Sequence, residues 1–233
     1  MISKGQTCGK SSFGDSRGAK VNPREEGFVI VLSDVKEQDE KDYLAWLTTE
    51  HVHERLGIPG FLTVRIFRRE IAGGHQYFIW YKLRDADVVG SSAYLERLND
   101  PTPWSKRIMP ILGNFGRAGG TITACSEKEE TDFLLVMSFS KLCSQPEGLV
   151  ADVAALPRIK SVHFLETDLE RTGIRTNERE LRASDSTFAC FMLAQSDHEE
   201  TLEAAGSAIS REGSLDDAPA SSAIYRQVFA LQA

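Results

Sequence analysis

The 233-residue sequence is poor in cysteine, and none of its four cysteines pairs by spacing: Cys8, Cys125, Cys143 and Cys190 stand singly, with no CxxC. That pattern excludes a zinc knuckle and a disulfide-stapled scaffold, and it leads to the expectation of reduced thiols in a cytoplasmic protein. No apolar run approaches the ~20 residues a membrane helix needs, and the amino terminus has no hydrophobic segment of secretory type, so no membrane partner is expected. Basic residues are the minority charge, 27 Lys and Arg against 34 Asp and Glu, for a formal charge of −7. Such a chain has no general attraction to phosphate backbones, and no nucleic acid partner is expected. Glycine is not clustered either: Gly119-Gly120 is a lone pair, too little for a phosphate-cradling loop.

What is present is enough apolar material, 41% of residues, for a sizeable core in one large domain or two of about 100 residues. Residues 1–26, rich in Gly, Ser and Lys at their start, read as a flexible tail. The first buried-strand pattern is Phe28–Val35, followed by a helix over Glu37–Leu56 that Gly57 and Pro59 end. Gly60–Arg69 and Gln76–Leu83 form a hairpin around Gly73-Gly74; then come a helix at Ser91–Leu98, a helical segment around Trp104–Leu112 and a strand at Phe115–Ser126. The order β-α-β-β-α-β then restarts with strands at Asp132–Ser140, Arg158–Glu166, Thr187–Ala194 and Ser222–Leu231, and helices at Glu147–Leu156 and His198–Ser210. Residues 167–186 form a polar loop between the central strands of the second half.

The restart also has a local signature. Leu56–Phe67 aligns with Ala154–Leu165 at an offset of 98 positions, matching Pro59 to Pro157 and Arg65 to His163. The predicted fold is α+β: two ferredoxin-like βαββαβ halves, residues 27–127 and 131–233, which together enclose one pocket for a small organic molecule.

The stretch Trp46-Leu-Thr-Thr-Glu-His-Val-His-Glu-Arg-Leu-Gly-Ile-Pro-Gly-Phe61 resembles the helix-to-strand segment of dimeric α+β barrel proteins, in particular the EthD-like branch and its W-x-x-x-E-H-x-P-E-R-L-x-x-P-G-F pattern. Ser91-Ser-Ala-Tyr-Leu is similar to that branch as well, and His53 departs from it by standing where proline is usual. The resemblance covers about 60 residues of the first half. It implies two ferredoxin-like units packed sheet against sheet, here carried by one chain as a fused duplication. The family includes cofactor-free monooxygenases, cyclases, dehydratases, decarboxylases, isomerases and some haem enzymes, so the fold does not choose the reaction.

His51 is the candidate catalytic residue, because it shares an apolar helical stripe with Leu44 and Leu47 and an imidazole there can move a proton near neutral pH. At the same offset the second half has Leu149, so only the first half would hold the active site. His51 and His53 diverge by about 200° on a helix and cannot share an ion, so no metal is expected. Arg65 and His163 are charged or titratable groups on strands, read either as structural, with Arg65 in a salt bridge to Glu50, or as candidates to hold an anionic part of a substrate. Phe61 and Trp80 suit an aromatic wall, and Tyr94 and Trp104 the mouth of the pocket. The expected function is a cofactor-independent, lyase-type enzyme that decarboxylates, dehydrates or cyclises an aromatic or polyketide-like compound, acting as a monomer or homodimer. A cofactor-free monooxygenase and a non-catalytic binding protein are the alternatives.

Overall fold

A computed structural model describes residues 26–126, 130–182, 186–212 and 219–233. The predicted amino-terminal tail thus lies almost wholly outside the described residues. The first half comprises β1 (Gly27–Lys36), α1 (Glu37–Trp46), a π-helical turn (Leu47–His51), α2 (Val52–Leu56), β2 (Phe61–Ile71), β3 (Gly74–Leu83), α3 (Ser92–Asn99), α4 (Pro103–Ile108) and β4 (Gly113–Cys125). The second comprises β5 (Phe133–Phe139), α5 (Pro146–Ala154), β6 (Ser161–Thr167), α6 (Leu169–Thr172), α7 (Asn177–Glu180), β7 (Cys190–Ser196), α8 (Glu199–Glu212) and β8 (Ser221–Gln232). Among the described residues, no helix is long and apolar enough to cross a membrane.

The eight strands close into an antiparallel barrel in the order β1-β3-β2-β8-β5-β7-β6-β4. Each half contributes four neighbouring strands in ferredoxin-like order, and the seams are β2 with β8 and β4 with β6. Strand alternation sends successive side chains to opposite faces. Along β1 and β3, Phe28, Ile30, Phe78 and Trp80 pack inward with Leu134, Val136, Phe191 and Leu193 of the second half. Val29, Ile79 and Tyr81 face outward, where α1, α2 and α3 cover them. The barrel interior is therefore a packed core. At about 1.5–3 kcal/mol for each large apolar side chain, its burial makes each half depend on the other.

The helix over residues 37–56 forms as expected, with Glu37, Asp39 and Glu40 in its first turn favouring the positive end of the helix dipole. Its middle differs from an ideal α-helix. The hydroxyls of Thr48 and Thr49 donate to the carbonyls of Leu44 and Ala45 at 2.8 and 2.7 Å. That competition for backbone acceptors favours a wider turn, and Val52 N–H bonds the Leu47 carbonyl five residues back. Downstream, Gly60 has φ +101° and a Cβ there would lie 2.5 Å from Val88, which explains the Pro-Gly-Phe entry into β2.

The polar loop predicted over 167–186 contains two short helical turns. Asp168 caps α6 by accepting from the Arg171 N–H at 2.9 Å, and Thr176 caps α7 through Arg179. This segment leaves its own half and packs on the first: Thr172 bonds both the N–H and the carbonyl of Gly119, Arg171 pairs with Asp87, and Asn177 bonds Asn99. The Gly119-Gly120 pair has its reason here, since a Cβ at Gly120 would sit 2.0 Å from the Glu166 carbonyl.

Candidate functional site

A cavity of about 30 Å³ lies between the outer face of the first-half sheet and the helices over it, closed at the top by the segment that carries Glu178 and Arg182. His51 lines it, 6% exposed. In an α-helix residues 46 and 51 would end about 140° apart. The π-helical turn closes that angle and brings the Trp46 and His51 rings to 4.3 Å between centroids. Trp46 is 2% exposed because α4 packs against it and Ser105 accepts its indole N–H at 3.1 Å. His53 is exposed.

Burial, reinforced by the charges of Arg55 and Arg182, holds the His51 imidazole well below the usual histidine range, so it is neutral at pH 7. Arg55, one helical turn on, forms a buried ion pair with Glu178, 123 residues away in sequence. Burial opposes the Arg55 charge, but the Glu178 carboxylate together with the Tyr94 and Tyr81 hydroxyls outweighs it. Tyr81, from β3, is buried with its hydroxyl pushed well above the usual phenol range by desolvation.

Three polar atoms around this one cavity have no hydrogen-bond partner among the described residues: His51 Nδ1, Arg55 Nη1 and the Tyr81 hydroxyl. An unmet buried polar group costs about 1–3 kcal/mol, and three of them bordering one cavity are groups that a polar ligand there would satisfy. The set combines a proton acceptor, a charged donor and a neutral hydroxyl. It can take a proton from an acidic group and hold the oxyanion that results.

The other predicted residues divide between two places. Tyr94 lines the cavity, with its hydroxyl accepting from Arg117 Nε and Nη2 at 3.3 and 3.2 Å. Phe61 stands behind the cavity and packs its ring on Tyr81 and Tyr94 at 5.5 and 5.2 Å. Trp104 is partly buried over α1 and donates to Asp42 at 3.0 Å, away from the cavity. Arg65, Trp80 and His163 lie on the opposite face of the sheet, inside the barrel. Arg65 is bound there by Gln195 and Gln227 at 2.5 Å and by the Thr131 carbonyl at 2.6 Å, and His163 meets the Trp80 ring edge-on at 5.1 Å. The expectation that one pocket between the halves would join them to His51 is corrected: the barrel is filled, and the cavity belongs to the helix-covered side of the first half.

The charged lining residues Arg55, Arg117, Glu178 and Arg182 were missed, and so was Tyr81. Arg55 was in view inside the Glu-His-Val-His-Glu-Arg stretch, one turn after His51. Nothing in the sequence links Glu178 or Arg182 to a helix so distant along the chain.

No family model and no curated protein sequence matches the chain. Among solved structures, an anthrone oxidase-like protein superposes with a TM-score of 0.58 at 13% identity, covering 90% of this chain and 94% of that one. A variant of chlorite dismutase from Candidatus Nitrospira defluvii superposes at 0.54, with 10% identity and coverage of 89% and 93%. This chain has the dimeric α+β barrel fold. At these identities the likeness concerns the fold, and in this barrel both units belong to one chain.

Proposed function

We propose that the cavity at His51 binds a small acidic compound, aromatic or polyketide-like, and moves a proton on it without a cofactor, leading to loss of CO2 or water or to ring closure. The observation that carries this is the convergence of His51 Nδ1, Arg55 Nη1 and the Tyr81 hydroxyl, all buried and unpartnered, on one cavity. A neutral imidazole accepts a proton from a hydroxyl or an activated carbon, and a positioned base contributes about 10²–10⁴-fold. Arg55 Nη1 and the Tyr81 hydroxyl stabilise the enolate or phenolate as it forms, and Tyr43, Trp46 and Phe115 hold the flat carbon frame. Ligand pockets usually measure ~300 Å³ or more, so a substrate enters this cavity only when the segment bearing Glu178 and Arg182 lifts, with the Arg55–Glu178 pair as its latch.

A cofactor-free monooxygenase is the second reading, favoured by the same base in a buried site and by the fold shared with an anthrone oxidase-like protein. There the deprotonated, electron-rich substrate reacts with oxygen directly. We also read the chain as an EthD-like fused duplication with halves at 27–127 and 131–233, cytoplasmic, monomeric or homodimeric. The second half serves as cover, since Leu149 stands buried in an apolar cluster where the repeat offset places the counterpart of His51.

Purified protein incubated with a small-molecule cell extract, in air and under nitrogen, separates these readings by mass spectrometry. A product lighter by CO2 or water under both atmospheres supports the lyase reading. A product heavier by oxygen and formed only in air supports the monooxygenase, and a retained compound of unchanged mass with no turnover would replace both by a binding protein.

A further inference from the structure

Arg117, on the outer face of β4, lines two cavities at once. One is the space at His51; the other, also about 30 Å³, is bounded by Leu169, Thr172, Gly173, Arg179, Ser186 and Thr187. Four other arginines near the first-half helices have carboxylate partners: Arg55 has Glu178, Arg97 has Glu54 and Asp100, Arg107 has Asp42, and Arg171 has Asp87 and Asp168. Arg117 meets neutral groups instead. Its Nε and Nη2 donate to the Tyr94 hydroxyl, its Nη1 reaches the Thr172 carbonyl at 3.4 Å, and its guanidinium packs on the Tyr94 ring at 5.3 Å. Among the described residues no carboxylate forms an ion pair with it. A partly buried cation satisfied only by long, neutral hydrogen bonds keeps its charge uncompensated, and an arriving anion exchanges those bonds for stronger, charge-assisted ones.

The Arg55 and Arg117 guanidinium groups both pack on Tyr94, at 5.9 and 5.3 Å from its ring centroid. A single-ring compound with its acidic group toward His51 and Arg55 therefore reaches Arg117 with a second group. We propose that Arg117 is an anion anchor: the compound handled at His51 carries a carboxylate, which docks on the Arg117 guanidinium at the junction of the two cavities. This rests on the reading of the His51 cavity as a ligand site, and it narrows the ligand from small acidic compounds to carboxylates. A planar carboxylate matches the guanidinium fork in a bidentate way.

The test is isothermal titration calorimetry on the full chain with salicylate and with salicylamide, which differ by the charge and not by the ring. Wild type is expected to bind salicylate at least about tenfold more tightly. Arg117→Gln should bring salicylate down to the salicylamide level without weakening salicylamide, and Arg117→Lys, which keeps the charge, should restore part of the preference. Equal binding of the two by wild type, a preference that survives Arg117→Gln, or no binding of either at 10 mM overturns the anchor. His51→Gln reports on the underlying reading separately: it should weaken both ligands alike, and if it weakens neither while the preference for salicylate stands, the role of His51 falls and the anchor remains.

Discussion

Replacing His51 by glutamine should change how stability depends on pH, and the sign follows from its burial. In the unfolded chain this histidine titrates near 6.5; in the fold, desolvation and the charges of Arg55 and Arg182 hold it well below that. Below pH 6.5 the unfolded state thus takes up a proton that the folded state does not, and stability contributed by the neutral ring is present at higher pH and lost as pH falls. Between pH 7.5 and 5.5, with the folded group still neutral, the loss is about 1.4 kcal/mol. Urea denaturation of wild type and His51→Gln at both pH values measures it. All other ionisable groups are common to the two proteins and cancel in the difference. The wild type should lose about 1.4 kcal/mol more than the variant over this range, and parallel pH dependences would refute a buried, neutral His51. Saturation with an anionic ligand should shrink the difference, because a negative charge in the cavity favours the imidazolium.

The other predictions concern the scaffold. Glu178→Ala leaves Arg55 buried without its counter-ion and should cost about 3–5 kcal/mol in chemical denaturation, whereas Arg55→Met with Glu178→Leu should cost far less. Phe191→Ala opens the packed barrel interior and should destabilise by about 3–5 kcal/mol while leaving ligand affinity at the His51 cavity unchanged by calorimetry. The Cys190 thiol, pushed up to about 11 by burial and bonded to the Lys141 carbonyl, should resist a thiol reagent at pH 8 in the native state and react on denaturation.

Strand order and the barrel were legible because period-2 apolar runs such as Phe28–Val35 and Gln76–Leu83 alternate between two buried faces, and the second set of elements follows the order of the first. The same alternation puts Arg65 and Phe67 on one face, where the guanidinium packs over the ring at 4.7 Å. Periodicity says which residues share a face, however, and not which face is the barrel interior, so Arg65, Trp80 and His163 were joined to a histidine on the other side of the sheet. The burial of His51 was legible from its stripe with Leu47. The π-helical turn that draws Trp46 to it was not, since it depends on where two threonine hydroxyls find acceptors. Glu178 and Arg182 were out of reach for a plainer reason. They come from a polar segment with no apolar periodicity, and only the closure of the barrel brings that segment over the first half.

The central claim is that chemistry takes place in the helix-covered cavity of the first half and not inside the barrel. It is tested most directly by comparing depletion of metabolites from cell extract by wild type, His51→Gln and His163→Gln, each checked for folding by circular dichroism. A compound consumed by wild type and by His163→Gln, and consumed at least about 100-fold more slowly by His51→Gln, is the predicted result. Consumption that survives in His51→Gln and fails in His163→Gln would contradict the account and move the site into the barrel.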